Sequence, residues 1–171
     1  HVKFYIEPVA NGDFETRDLL HWTVGGVLGK RVELAGAPGG SASHLAILGN
    51  PELGPCYDTS PAVLLEGAAV ISQTIEVPTA PDTVAPTLHF WYHIVTYDVV
   101  WSARYNRYYD SFDVELSVKG APNRTLLLRD GNYDPANVGA GKPATDLGWR
   151  EAKIDLSAYA GQTVTLYFSV N

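Results

Sequence analysis

Residues 88–118, LHFWYHIVTYDVVWSARYNRYYDSFDVELSV, constrain the fold of this chain more than any other stretch. In the first part Leu88, Phe90, Tyr92 and Ile94 alternate with His89, Trp91, His93 and Val95. In the last part Phe112, Val114, Leu116 and Val118 alternate with Ser111, Asp113, Glu115 and Ser117. A period of two in β-branched and aromatic residues predicts two strands, each with an apolar and a wetter face. The link between them is too long for a hairpin turn. It carries Tyr97, Asp98, Trp101, Tyr105, Arg107, Tyr108, Tyr109 and Asp110. Connections of that length are usually functional, and rings outside the strand pattern need either a core or a ligand.

The same period recurs along the chain. Residues 2–9 alternate Val2, Phe4 and Ile6 against Lys3, Tyr5 and Glu7, and Pro8 ends that strand or confines it to an edge. Asn11–Glu15 reads as a turn followed by a stub of strand. Further strands are expected in RVELAG, at 43–48, at 69–77 with Ile71, Gln73, Ile75 and Val77 on one face, at 124–129, at 149–156 and at 163–171. Residues 49–61 and 130–146 are rich in turn formers, and only 157–161 could make a turn of helix. The expectation is an all-β antiparallel β-sandwich with two long functional loops, 97–110 and 130–146.

With 171 residues and a net charge of −7, the chain is one domain without the basic surface that nucleic acid or an anionic membrane requires. Its apolar runs are strand-length, which argues against membrane insertion. Cys56 is the one cysteine, so no internal disulfide or Cys-based metal site is possible, and a buried inert thiol is expected. The opening HVKFYIEP has no signal-peptide form and reads as a processed or excised start.

NGDFE followed by a Trp, then ISQTIEVP, LHFWYHI, DSFDVELSV and GWREAKIDLSAYAGQTVTLYFSV, resemble the jelly-roll (galactose-binding-like) superfamily of carbohydrate-binding modules and MAM-like domains. The resemblance covers most of residues 11–170 and implies jelly-roll topology on a secreted or cell-surface bacterial protein. It also implies a structural Ca²⁺ held by Glu15, Asp155 and backbone oxygens near Gly12 or Ser43; hard oxygen donors from distant segments suit that ion. Relatives usually close with one more strand, which is absent before Asn171. The chain thus divides into an N-terminal extension strand, 1–10, and a sandwich, 11–171, lacking its usual final strand.

Two functions compete. In one the chain is a non-catalytic extracellular module for assembly or adhesion, a filament subunit completed head-to-tail by copies of itself, with Val2, Phe4 and Ile6 as donated side chains. In the other it binds a polysaccharide through the aromatic loop 97–109, with Asp98, Arg107 or Asp110 taking hydroxyls. The loop rings could instead meet a protein neighbour or pack beneath the loop. Trp22 and Trp149 are expected in the core. His89 and His93 share a strand face about 13 Å apart, too far to ligate one metal unaided. An enzyme is not expected: Asp98, Asp110, Asp113 and Asp130 could pair as glycosidase carboxylates, but no nucleophile elbow, zinc-protease helix or phosphate loop is present. Asn123-Arg124-Thr125 forms a glycosylation sequon in an expected exposed turn.

Overall fold

In a computed structural model of the chain, the structure describes residues 8–34, 38, 44–49, 67–79, 85–96, 111–131 and 145–171. Nine strands follow in order: β1 Thr23–Gly25, β2 Lys30–Leu34, β3 His44–Leu48, β4 Ala69–Glu76, β5 Thr87–Thr96, β6 Phe112–Val118, β7 Thr125–Asp130, β8 Thr145–Asp155 and β9 Thr163–Val170. A 3₁₀ turn, Ser157–Tyr159, precedes β9. All pairings are antiparallel: a five-stranded sheet in the order β1-β4-β9-β6-β7, and two pairs, β2-β3 and β5-β8.

The alternation in the sequence decides which side of each strand is dry. β9 is central in the large sheet, and its inward row runs Val164, Leu166 and Phe168. In register beside them stand Ile75 and Ile71 of β4 and Val118, Leu116 and Val114 of β6. Leu88 and Phe90 of β5, with Ile154 of β8 and Leu156 after it, pack onto this row from the facing pair. The Phe90 ring meets Phe168 edge-on at 5.2 Å, and Tyr92 stacks on Phe112 at 5.0 Å. Burying each such aliphatic side chain is worth about 1.5–3 kcal/mol, so this interlayer seam is the main source of stability.

Residues 8–22 contain no strand, unlike the expected stub at Phe14–Glu15. Asn11, Phe14, Arg17 and His21 all take positive φ, a conformation non-glycine residues rarely adopt. Local hydrogen bonds and one ring contact hold them there. The Asn11 side-chain amide donates to the Asp18 and Leu20 carbonyls, and Trp22 donates its indole N–H to the Asn11 carbonyl while stacking on Phe14. From the sheet, buried Gln73 clamps the segment: its amide donates to the Ala10 and His21 carbonyls, and its oxygen accepts from the Ala10 N–H. Gln73 stands on the inward face opposite Leu166, so the polar position in an otherwise apolar row is the anchor for a loop that closes the sandwich.

Gln73→Ala is expected to cost about 1–3 kcal/mol, because it orphans groups at Ala10 and His21 in a half-buried site. Thermal melting would read this as a fall of several degrees. Hydrogen exchange should quicken first at the Ala10 amide.

Candidate functional site

The outward face of the β5–β8 pair carries an exposed tryptophan, Trp91, and a half-buried one, Trp149. Leu88, Phe90, Tyr92 and Ile94 face inward, which turns His89, Trp91, His93 and Val95 to solvent, and Trp91 keeps 38% of its surface exposed. Across the ladder the outward partners are Lys153 beside His89, Glu151 beside Trp91, and Trp149 beside His93. The His93 and Trp149 rings lie 5.1 Å apart. Trp149 is therefore a half-buried face residue and not the core residue expected from the sequence. Trp22 does pack inward, edge-on to Phe168 at 5.9 Å.

One irregularity completes the face. Between His93 and Val95 on β5, the partner strand steps from Trp149 to Asp146, so β8 carries one extra residue there. This is a β-bulge, and Gly148 supplies the left-handed backbone it needs, with φ at +72°. By parity alone Asp146 would share the inward side with Arg150 and Ala152. The bulge returns it to the outward face opposite Val95, where His93 Nε2 reaches its Oδ1 at 2.5 Å and the Gly148 N–H donates to the same oxygen at 2.7 Å. Glu151 is held similarly: its Oε1 lies 2.9 Å from His89 Nε2 and 2.7 Å from the Lys153 ammonium.

These contacts set the charge state. Hydrogen bonds from His93 and then Gly148 hold the Asp146 carboxyl below the usual carboxylate range. Lys153, and more weakly His89, do the same for Glu151. A depressed carboxyl keeps its charge as pH falls until the lowered value is reached, so both groups stay ionised well into mild acid.

Beneath this face a polar network fixes the two strands to the large sheet. Tyr92, between Trp91 and His93, donates its hydroxyl to Asp130 Oδ2 at 2.7 Å. Arg150, between Trp149 and Glu151, pairs with the same oxygen, and the Gly131 N–H donates to Oδ1 at 2.8 Å. Burial, and then the neighbouring Asp130 carboxylate, push the Tyr92 phenol up to about 12. Asp113 is likewise engaged, by a two-pronged bond from Arg129. The two described members of the expected carboxylate pairings thus serve as arginine partners.

The remaining expected sites divide. Tyr97, Asp98, Trp101, Tyr105, Arg107, Tyr108, Tyr109 and Asp110 lie outside the described residues, as do Val2, Phe4 and Ile6 and Cys56. Thr96, the last described residue of β5, pairs with Thr145 at the Asp146 end of the face. Asn123 sits in the exposed connection between β6 and β7.

Glu15 and Asp155 engage different partners: Glu15 Oε2 faces the buried His44 at 3.2 Å, while Asp155 Oδ1 accepts the Ser157 N–H and hydroxyl. Among the described residues no group of three or more His, Cys, Asp or Glu side chains is placed to hold a metal ion.

The face is only half legible in the sequence. The outward set on β5 follows from alternation, but its Trp149 and Asp146 partners depend on the ladder register and on the bulge. Gly148, alone in a strand pattern, was the available signal.

No protein-family model matches the sequence, and no curated protein matches it significantly. Among solved structures, TmCBM61, a carbohydrate-binding module in complex with β-1,4-galactotriose, has a TM-score of 0.56 at 15% identity, over 97% of this chain and 88% of that one. The enzymatically active domain of tailspike protein 4 from bacteriophage CBA120 gives a TM-score of 0.49 at 13% identity, over 96% of this chain and 19% of the tailspike chain. With its antiparallel layers and its likeness to the first of these, the chain is a jelly-roll β-sandwich.

Proposed function

We propose that the chain is a non-catalytic polysaccharide-binding module, and that its platform is the outward face of β5 and β8. The observation that carries this is the pair of Trp91 and Trp149 on adjacent strands, each flanked by an oriented carboxylate. Sugar rings have apolar C–H faces and hydroxyl edges. An indole surface covers the first and carboxylate oxygens accept from the second, the division of labour seen in most ligand sites. The fold likeness to a module solved with a galactotriose points the same way. In this reading the protein works outside the cell, where polysaccharides are met.

Affinity electrophoresis through gels loaded with soluble polysaccharides tests the proposal. At least one neutral glycan should retard the protein in proportion to its concentration. Mobility unaltered across a broad panel would reject it.

The structural Ca²⁺ implied by the resemblance is tested separately, by melting in excess chelator with elemental analysis. If Glu15 and Asp155 help to hold the ion, the melting temperature falls on chelation; an unchanged curve with no metal by elemental analysis rejects the site.

A further inference from the structure

We propose that this face selects neutral, hydroxyl-rich glycans over uronate- or sulfate-bearing ones, through one outward oxygen on each of Asp146 and Glu151. The inference rests on the glycan-binding reading above and names its ligand class. In both residues a single oxygen takes all the protein's hydrogen bonds: Oδ1 of Asp146 from His93 and Gly148, Oε1 of Glu151 from His89 and Lys153. The second oxygens, Oδ2 and Oε2, have no protein partner among the described residues, and the Asp146 side chain is 63% exposed. The indole N–H groups of Trp91 and Trp149 are likewise unpartnered among the described residues.

An ionised carboxylate only accepts hydrogen bonds. Each outward oxygen therefore asks for a hydroxyl donor from whatever lies on the adjacent indole. A carboxylate or sulfate on the ligand would bring like charge to the same place with no proton to share, and such juxtaposition is how interfaces reject wrong partners. The cationic groups do not reverse this. Lys153 and His89 both converge on Glu151 and His93 on Asp146, while Arg150 faces inward to Asp130. Among the described residues this face carries two carboxylates and one ammonium, with an imidazole against each carboxylate.

Gly148 is a positioning residue in this scheme. Its backbone makes the bulge that brings Asp146 outward and donates the amide that orients it. A side chain would meet nothing within 4 Å, so Gly148→Ala acts through its positive φ alone.

The test uses the whole chain and matched ligands: a neutral polysaccharide that it binds, and the same backbone partly oxidised to uronate at the primary hydroxyls. The unmodified protein should bind the oxidised form about tenfold more weakly, a loss equivalent to about 1.4 kcal/mol. That difference should shrink as salt is raised through the range in which surface charges are screened. The double variant Asp146→Asn, Glu151→Gln keeps shape and an acceptor but loses charge, so its two affinities should agree within about twofold. Equal or tighter binding of the oxidised form by the unmodified protein overturns the charge selection while leaving glycan binding intact. Binding of neither form, by a protein with a normal melting curve, overturns both.

Discussion

Replacing Trp91 and Trp149 together by alanine is expected to abolish retention on polysaccharide while leaving the melting temperature nearly unaltered. Both rings stand on the solvent side of the β5–β8 ladder, and neither belongs to the buried cluster that joins the two layers. Their removal opens no interior cavity, so the large-to-small penalty that applies to core residues does not arise. A tryptophan at the centre of a binding surface commonly contributes about 2 kcal/mol or more. Two such rings correspond to about a thousandfold in affinity if their effects add. Trp22→Ala is the matching control. That ring packs between Phe14 and Phe168 and bonds the Asn11 carbonyl, so its loss should lower stability by about 3 kcal/mol and spare binding in whatever protein remains folded. Affinity electrophoresis and thermal melting of all three proteins separate the two effects. Retention that survives in the double variant but falls with Trp101→Ala and Tyr105→Ala would move the ligand from the strand face to the loop that follows it.

The strands were legible in the sequence because half-buried antiparallel sheets write their burial as alternation. Leu88 to Val95 and Thr163 to Leu166 fall on the faces their spacing assigns. The alternation fails where a residue's role depends on something non-local. Thr145 and Asp146 read as the end of the loop 130–146, yet they start β8 and pair with Thr96 and Val95. Trp149 reads as core because a lone Trp in a strand usually is, and only the register against His93 turns it outward. Phe14 at φ +56° was not readable at all: its conformation is imposed by the Asn11 hub and by Trp22, contacts several residues away. Of the proposed platform, alternation turns Trp91 outward, but the sequence reading sets the glycan on the loop 97–109; the facing strand and the bulge supply the geometry of the strand face.

Asp130→Ala should destabilise the protein more than any surface substitution on the face above it. The carboxylate is 11% exposed and accepts from three groups: the Tyr92 hydroxyl, the Arg150 guanidinium and the Gly131 amide. Removing it leaves a half-buried arginine without its partner and a phenol without its acceptor, the arrangement in which breaking a pair costs far more than the pair is worth. A fully buried case loses about 3–5 kcal/mol; with Arg150 still 34% exposed, solvent screening brings the expected loss to about 2–3 kcal/mol. For a chain of this length that is a fall of roughly 4–12 °C in melting temperature. Because Tyr92 and Arg150 sit on β5 and β8 between the outward residues, binding should weaken as well, through lost orientation rather than lost contact. The alkaline limb of stability gives an independent readout. Tyr92 has its folded pKa raised to about 12 from an ordinary value of 10.0. Its contribution is therefore complete below the unfolded value and is lost as pH rises through the folded one. Between those two values the unmodified protein should lose stability more steeply than Tyr92→Phe, which has no proton to release. Parallel slopes for the two proteins, or an Asp130→Ala melting temperature within a degree of the unmodified protein, would show that the interlayer network does not hold the binding strands in place.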